Sequence, residues 1–159
     1  VLTGEVIMYL GMIVLLMVIL PIGSIAAEMV IHGGSLIVLA GKWFVFWAVG
    51  IRLILAGCRQ TINPAFTAQK IFEIKDPAAL VIVQELGFAN LSIGLLGILS
   101  IFERGWVVPA AVVGGLFYGL AGFKHLLKGD RNKIENIAMI SDLFIFLVLA
   151  AYLAAMQWA

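Results

Sequence analysis

The sequence predicts an all-α polytopic membrane protein, a bundle of five transmembrane helices made of an N-terminal helix plus a four-helix core. Composition is the first ground. Of 159 residues, 64% are hydrophobic and 12% charged, and mean hydropathy is +1.15. Soluble domains run nearer about 45–50% apolar and a quarter charged, and a chain this small cannot hide so much apolar surface in a globule. The same surplus excludes disorder. The second ground is the form of the apolar runs. They are continuous and about 20 residues long, enough to cross a bilayer as helices, where barrel strands would alternate in segments of about ten.

The first span is expected over 6–28, because Val6 to Ala27 holds no charge. Ser24-Ile25-Ala26 loosely resembles a signal-peptide cleavage site. No Lys or Arg precedes it, and the run is long for such a leader, so an uncleaved helix is expected. The second span, 42–60, is interrupted by Arg52, and the third, 78–102, carries Gln84, Glu85 and Asn90. Glu103-Arg104-Gly105 makes a tight turn. The fourth span, 106–127, has Pro109 in its first turn, where a missing N–H costs little. The fifth, 136–158, carries Ser141 and Asp142. The connection 61–77 holds Asn63-Pro64 and Asp76-Pro77, both turn signals, with a short interfacial helix expected between Phe66 and Phe72. Residues 128–135 form a solvated loop. Residues 1–159 thus read as one transmembrane domain.

Five spans put the N-terminus, loop 61–77 and loop 128–135 on one side. That side carries Arg59, Lys70, Lys75, Lys124, Lys128, Arg131 and Lys133, against Lys42 and Arg104 on the other. The excess of Lys and Arg places the N-terminus in the cytoplasm and the C-terminus outside. Trp43, Trp47, Trp106 and Trp158 all fall at the expected outer interface, where an amphipathic indole is favoured.

Several chemistries are excluded or disfavoured. A net charge of +1, with no basic cluster, offers nothing to nucleic acid. A single cysteine, Cys58, rules out an intrachain disulfide and a Cys-based metal site. His32 and His125 fall at opposite faces of the membrane, so one chain cannot ligate a haem through two imidazoles. H-E-x-x-H and G-x-S-x-G are absent, and no metal site is expected. Cofactors are not indicated.

The informative residues are polar groups inside the spans, each charge costing roughly 2.5–3.5 kcal/mol at a helix centre. Arg52, Glu85, Asn90, Asp142 and His125 all fall in the cytoplasmic half, with Arg59, Gln60, Gln84 and Tyr118 as secondary candidates. Arg52 and Arg59 share a helix face, as do Tyr118 and His125. Gly87, Asn90, Gly94 and Gly97 form one stripe on the third helix, and Glu85 points well away from it. A helix polar on two sides is expected at the centre of the bundle. Gly115-Leu116-Phe117-Tyr118-Gly119, with Ala111, gives the fourth helix small residues every four positions for close approach. Two readings follow. Arg52–Glu85 and Arg59–Asp142 are structural ion pairs with His125 at the interface, or Glu85, Asp142, Asn90 and Arg52 line a cavity that opens to the cytoplasm. A quinone or lipid site between helices is a third.

The stretch from Gln84 through Glu85-Leu86-Gly87-Phe88-Ala89-Asn90-Leu91-Ser92-Ile93-Gly94-Leu95-Leu96-Gly97 resembles the signature of a family of small, uncharacterised bacterial membrane proteins, E-x-G-F-A-N-L-x-x-G-x-x-G. That pattern continues with a His at a helix end, an Asn in the loop and an Asp near the start of the last helix, here His125, Asn136 and Asp142. The resemblance covers about residues 43–155. It implies a four-helix core to which the first helix is an addition, and a place in the bacterial inner membrane, but no activity. A fainter similarity is to DoxX-like four-helix proteins, some linked to quinone-dependent sulfur oxidation. The expected function is a small membrane protein that handles a small solute or a proton, with Glu85 titrating and Arg52 its counter-charge. The alternatives are an accessory subunit docking through its glycine faces, and a quinone-linked redox component. Expected partners are the lipid bilayer and either further copies of the chain or another membrane protein.

Overall fold

The computed structural model describes residues 4–157. Five helices in it are long and apolar enough to cross a membrane: α1 Gly4–His32, α2 Leu36–Ile62, α4 Ala78–Leu99, α5 Arg104–Leu127 and α6 Lys133–Met156. A short α3 occupies 64–71, between the second and third spans. No strand occurs among the described residues. Trp158 and the expected end of the last span lie outside them.

The helix ends differ from the expected ones for local reasons. α2 begins at Leu36, six residues before the charge taken as its edge. Lys42 is no boundary, because the Glu28 carboxylate accepts its ammonium at 2.7 Å and matches its charge. The break before α2 falls instead at Gly33-Gly34, whose φ values of 67° and 124° suit glycine alone. α6 starts three residues early, at Lys133, because the Asn132 side chain caps it by accepting the Glu135 N–H at 2.9 Å. In α1 the helix widens to π-type turns over Leu15–Ile19, just before Pro21, whose ring lacks an N–H and would crowd the preceding turn.

The outward surface is hydrocarbon-like. Ile82, Leu120 and Leu147 are 70%, 72% and 64% exposed, which makes lipid, not water, the solvent of these faces. The core gathers on α2, where Val45, Ala48, Val49 and Leu53 are buried against Met17 of α1, Tyr118 of α5 and Leu149 of α6. α2 is therefore the central helix. The expectation that the third span is central is overturned. α4 packs chiefly on α2 through the stripe of Gly87, Asn90, Gly94 and Gly97, and turns Val81, Ile82, Glu85 and Phe88 outward. At Gly97 an added Cβ would lie 2.6 Å from the Gly50 backbone nitrogen, so two glycines let the helix backbones touch. The G-x-x-x-G of α5 is occupied within the chain as well. Gly119 sits under the Phe146 ring of α6, and Gly115 against Leu149. These glycine faces are thus used internally and are not free to dock another protein.

Close packing at Gly97 has a measurable consequence. Gly97→Ala pushes backbone against backbone and is expected to cost about 1–3 kcal/mol. Gly23→Ala, with nothing within 4 Å of the added Cβ, should fall within about 1 kcal/mol of the wild type. Thermal unfolding of both variants in detergent checks the contrast.

Candidate functional site

Helix α2 carries the positive charge of the site, and its local geometry sets the surroundings. Over Val45–Ile51 the helix widens, and the Arg52 N–H donates to the carbonyls of Trp47 and Val49. The Ala48 carbonyl, skipped by that bond, accepts the Tyr118 hydroxyl of α5 at 2.5 Å. A widened turn of this kind is a recurrent feature of functional sites. On α1, the buried Tyr9 hydroxyl accepts Arg52 Nη2 at 3.3 Å. On α4, Asn90 is 2% exposed and its Nδ2 donates to Gln60 Oε1 of α2 at 2.7 Å.

These groups face a cavity of about 850 Å³. Its polar wall holds Tyr9, Arg52, Gln60, Asn90, Tyr118 and Asp142. Toward the loops it meets Lys124, His125, Lys128 and Glu135. Arg52 lies ten residues before the end of α2 and Asp142 nine after the start of α6, so both sit about 13–15 Å in from the same end of the bundle. The two opposite charges face one space, yet among the described residues no direct ion pair joins them. Arg52 Nε and Asn90 Oδ1 are buried with no hydrogen-bond partner in the chain. Such groups are costly to leave unmatched in a low-dielectric interior, and here a donor and an acceptor lack partners on two residues of one cavity wall.

A second cluster closes the loop end. The Glu135 carboxylate, 2% exposed, meets His125 Nδ1 at 2.9 Å and accepts Lys128 Nζ at 2.8 Å. This carboxylate holds the Lys128 ammonium protonated above the usual lysine range. Lys128 also pairs with Glu73 at 3.6 Å, and Asn132 Nδ2 donates to the Lys70 carbonyl at 3.0 Å and to Glu73 Oε1 at 3.1 Å. The two loops are thereby tied together across the end of the bundle. Glu73 reaches these partners from a left-handed backbone, φ 59°, which is uncommon for a residue with a side chain.

Of the residues singled out from the sequence, Arg52, Asn90, Asp142, His125, Gln60 and Tyr118 share the cavity. Glu85 does not. It is exposed on the outward face of α4, so neither its pairing with Arg52 nor its place in the cavity wall holds. Its phase accounts for this, since the glycine stripe turned inward leaves the opposite side of the helix facing out. Nor does Arg59 pair with Asp142. Its guanidinium lies over the Phe66 ring of α3, 3.5 Å from the centroid, and lines a smaller cleft. Gln84 Nε2 donates to the Thr61 carbonyl at 3.3 Å and ties α4 to the end of α2. His125 does not simply reach for the interface, because Glu135 holds it.

Tyr9, Glu135 and Lys128 also line the cavity, though the sequence does not single them out. Tyr9 was the one phenol in an apolar span, which is a usable signal. Glu135 lies in a segment whose composition reads as solvated loop. Among the described residues no group of three or more His, Cys, Asp or Glu could hold a metal ion.

The two carboxylates should now behave differently. Glu135→Ala removes a buried acceptor from His125 and is expected to lower stability by about 1.5–3 kcal/mol. Glu85→Gln should not lower the unfolding midpoint and should leave any ligand retention unchanged. Parallel unfolding curves of the two purified variants decide this.

No curated protein and no solved structure matches the chain. A family model does match, and it covers residues 7–159. It begins inside α1, so the first helix belongs to the shared domain and is not an addition to it. A match over nearly the whole chain, joined to five membrane-length helices, places this protein in the family of unknown function DUF6790.

Proposed function

We propose that this protein binds a small polar group, or passes a proton, at a site buried in one half of the bilayer. One observation carries the reading. Arg52 and Asp142 face a common cavity without pairing, while Arg52 Nε and Asn90 Oδ1 beside them have no partner in the chain. Charges inside the membrane tend to be paired or functional, and two that share a cavity unpaired favour a third group between them. Asp142 takes the titrating role that the spacing alone assigned to Glu85. Arg52 supplies the counter-charge, Asn90 positions the bound group, and His125 with Glu135 lines the loop end of the cavity.

The excess of Lys and Arg on the side of loops 61–77 and 128–135 supports a cytoplasmic N-terminus, with the protein in a bacterial inner membrane and the site in the cytoplasmic leaflet. A second reading, association with another copy or a membrane partner, rests on Glu85. A carboxylate on a lipid-facing surface is costly, and a neighbouring chain would cover it.

Purification in mild detergent, with mass spectrometry of everything retained, tests the main reading. The wild type should keep a small molecule in fixed ratio, and Arg52→Gln and Asp142→Asn should fold yet lose at least about tenfold of it, the value of one charge-assisted hydrogen bond. Identical retention in all three overturns the reading, and a protein partner in fixed ratio supports the second. Orientation has its own check. In a Cys58→Ser background, Gly129→Cys places a thiol in the open loop, where nothing lies within 4 Å of the glycine. An impermeant maleimide should label it in inverted vesicles and not in intact cells.

A further inference from the structure

We infer that the cavity takes an amphiphile, an oxygen-bearing polar head on a single apolar chain, which enters sideways from the membrane between α4 and α5. This rests on the polar-site reading above and adds the class of ligand and its route.

The route follows from how the helices pair. α4 packs mainly on α2, and α5 mainly on α6, while α4 and α5 touch each other only slightly after the tight turn that joins them. Both helices contribute to the cavity wall. Its apolar part includes Leu86 from α4 and Phe117, Leu120 and Ala121 from α5. Leu120 both lines the cavity and is 72% exposed, so it stands on the rim of an opening. It lies seven residues before the end of α5, about 10 Å in, at a depth where the medium outside is acyl chain. On the loop side the cavity has a wall of its own. Ile71, Phe72 and Ile74 form part of the wall, and the Lys128–Glu73 pair and the Asn132 contacts hold that segment in place.

The polar end sets the head. Arg52 Nε is a free donor and Asn90 Oδ1 a free acceptor, the latter on a side chain that is 2% exposed. A protonated carboxyl group or a hydroxyl beside a carbonyl offers both an acceptor and a donor. The volume, about 850 Å³, lies within the range of about 300–1,000 Å³ that holds ligands of moderate size. A head and much of one chain fit that space, with the remainder passing Leu120 into the bilayer.

The test uses the whole protein in lipid nanodiscs and oleic acid carrying a diazirine near its tail. Photolabelling should fall on the peptides that contain Leu86, Phe117 and Leu120, and excess oleate should suppress it while acetate, the head alone, should not. Leu120→Trp narrows the rim at an exposed position. It should cut labelling about tenfold without moving the unfolding midpoint, and Arg52→Gln should weaken it by a similar factor. Label spread evenly over outward residues such as Val81 and Ile82, or indifferent to Leu120→Trp, overturns the inference. Suppression by acetate as strong as that by oleate also overturns it but leaves the polar site standing as one for a water-borne solute. Specific labelling that ignores Arg52→Gln overturns both.

Discussion

Within hydrocarbon a guanidinium has no solvent to fall back on, and Arg52 sets the terms for the helices around it. Its charge costs a few kcal/mol at this depth unless other side chains share it. The protein answers with a hydroxyl from α1, an amide from α4, a phenol from α5 and a carboxylate from α6, all facing one space. α2 must then lie at the centre, because only a central helix can be reached from four others. Close approach around it needs small residues, and Gly50, Gly57, Gly87, Gly94 and Gly97 are where α2 and α4 meet. Buried charge and glycine packing are two parts of one solution.

The same residues explain how the site stays hollow. Gly114 under Val49 and Gly122 under Leu143 let α5 lie tightly on α2 and α6. α4 takes the opposite side of α2. The space between α4 and α5 is walled by apolar residues of both, Leu86 from α4 and Phe117, Leu120 and Ala121 from α5, with the polar groups at its inner end. The Asn90–Gln60 bond, 2.7 Å long and buried, fixes the floor of that space from both sides. At the loop end, Glu135 engages a histidine and a lysine with one carboxylate, so the last turn of α5 and the first turn of α6 are set relative to each other.

Much of this could be read from the chain, and the failures have physical causes. Five spans follow from the length and continuity of the apolar runs, because the bilayer imposes both. Arg52, Asn90 and Asp142 could be found because a polar side chain is conspicuous in an apolar helix. Which of them face one another was harder. Glu85 had the right depth and the wrong azimuth, and depth is the easier quantity to count along a helix. The azimuth was decided by the glycine stripe, whose packing against Gly50 and Gly57 needed the partner helix to be known. Lys42 misled for a related reason. A charge usually marks the membrane edge, but one matched by Glu28 fourteen residues earlier can sit inside the helix. The Glu135 cluster was least legible, since it joins residues across a loop whose composition reads only as solvated.

The order of the chain adds a consequence for assembly. Helices enter the membrane from the N-terminus onward, so the arginine of α2 is present before the aspartate of α6 has been made. Of the described polar groups that share the cavity with Arg52, the Tyr9 hydroxyl comes first in the chain and the Asp142 carboxylate last. The hydroxyl that Arg52 meets on α1 is thus made before the arginine, and the carboxylate across the cavity from it is made last.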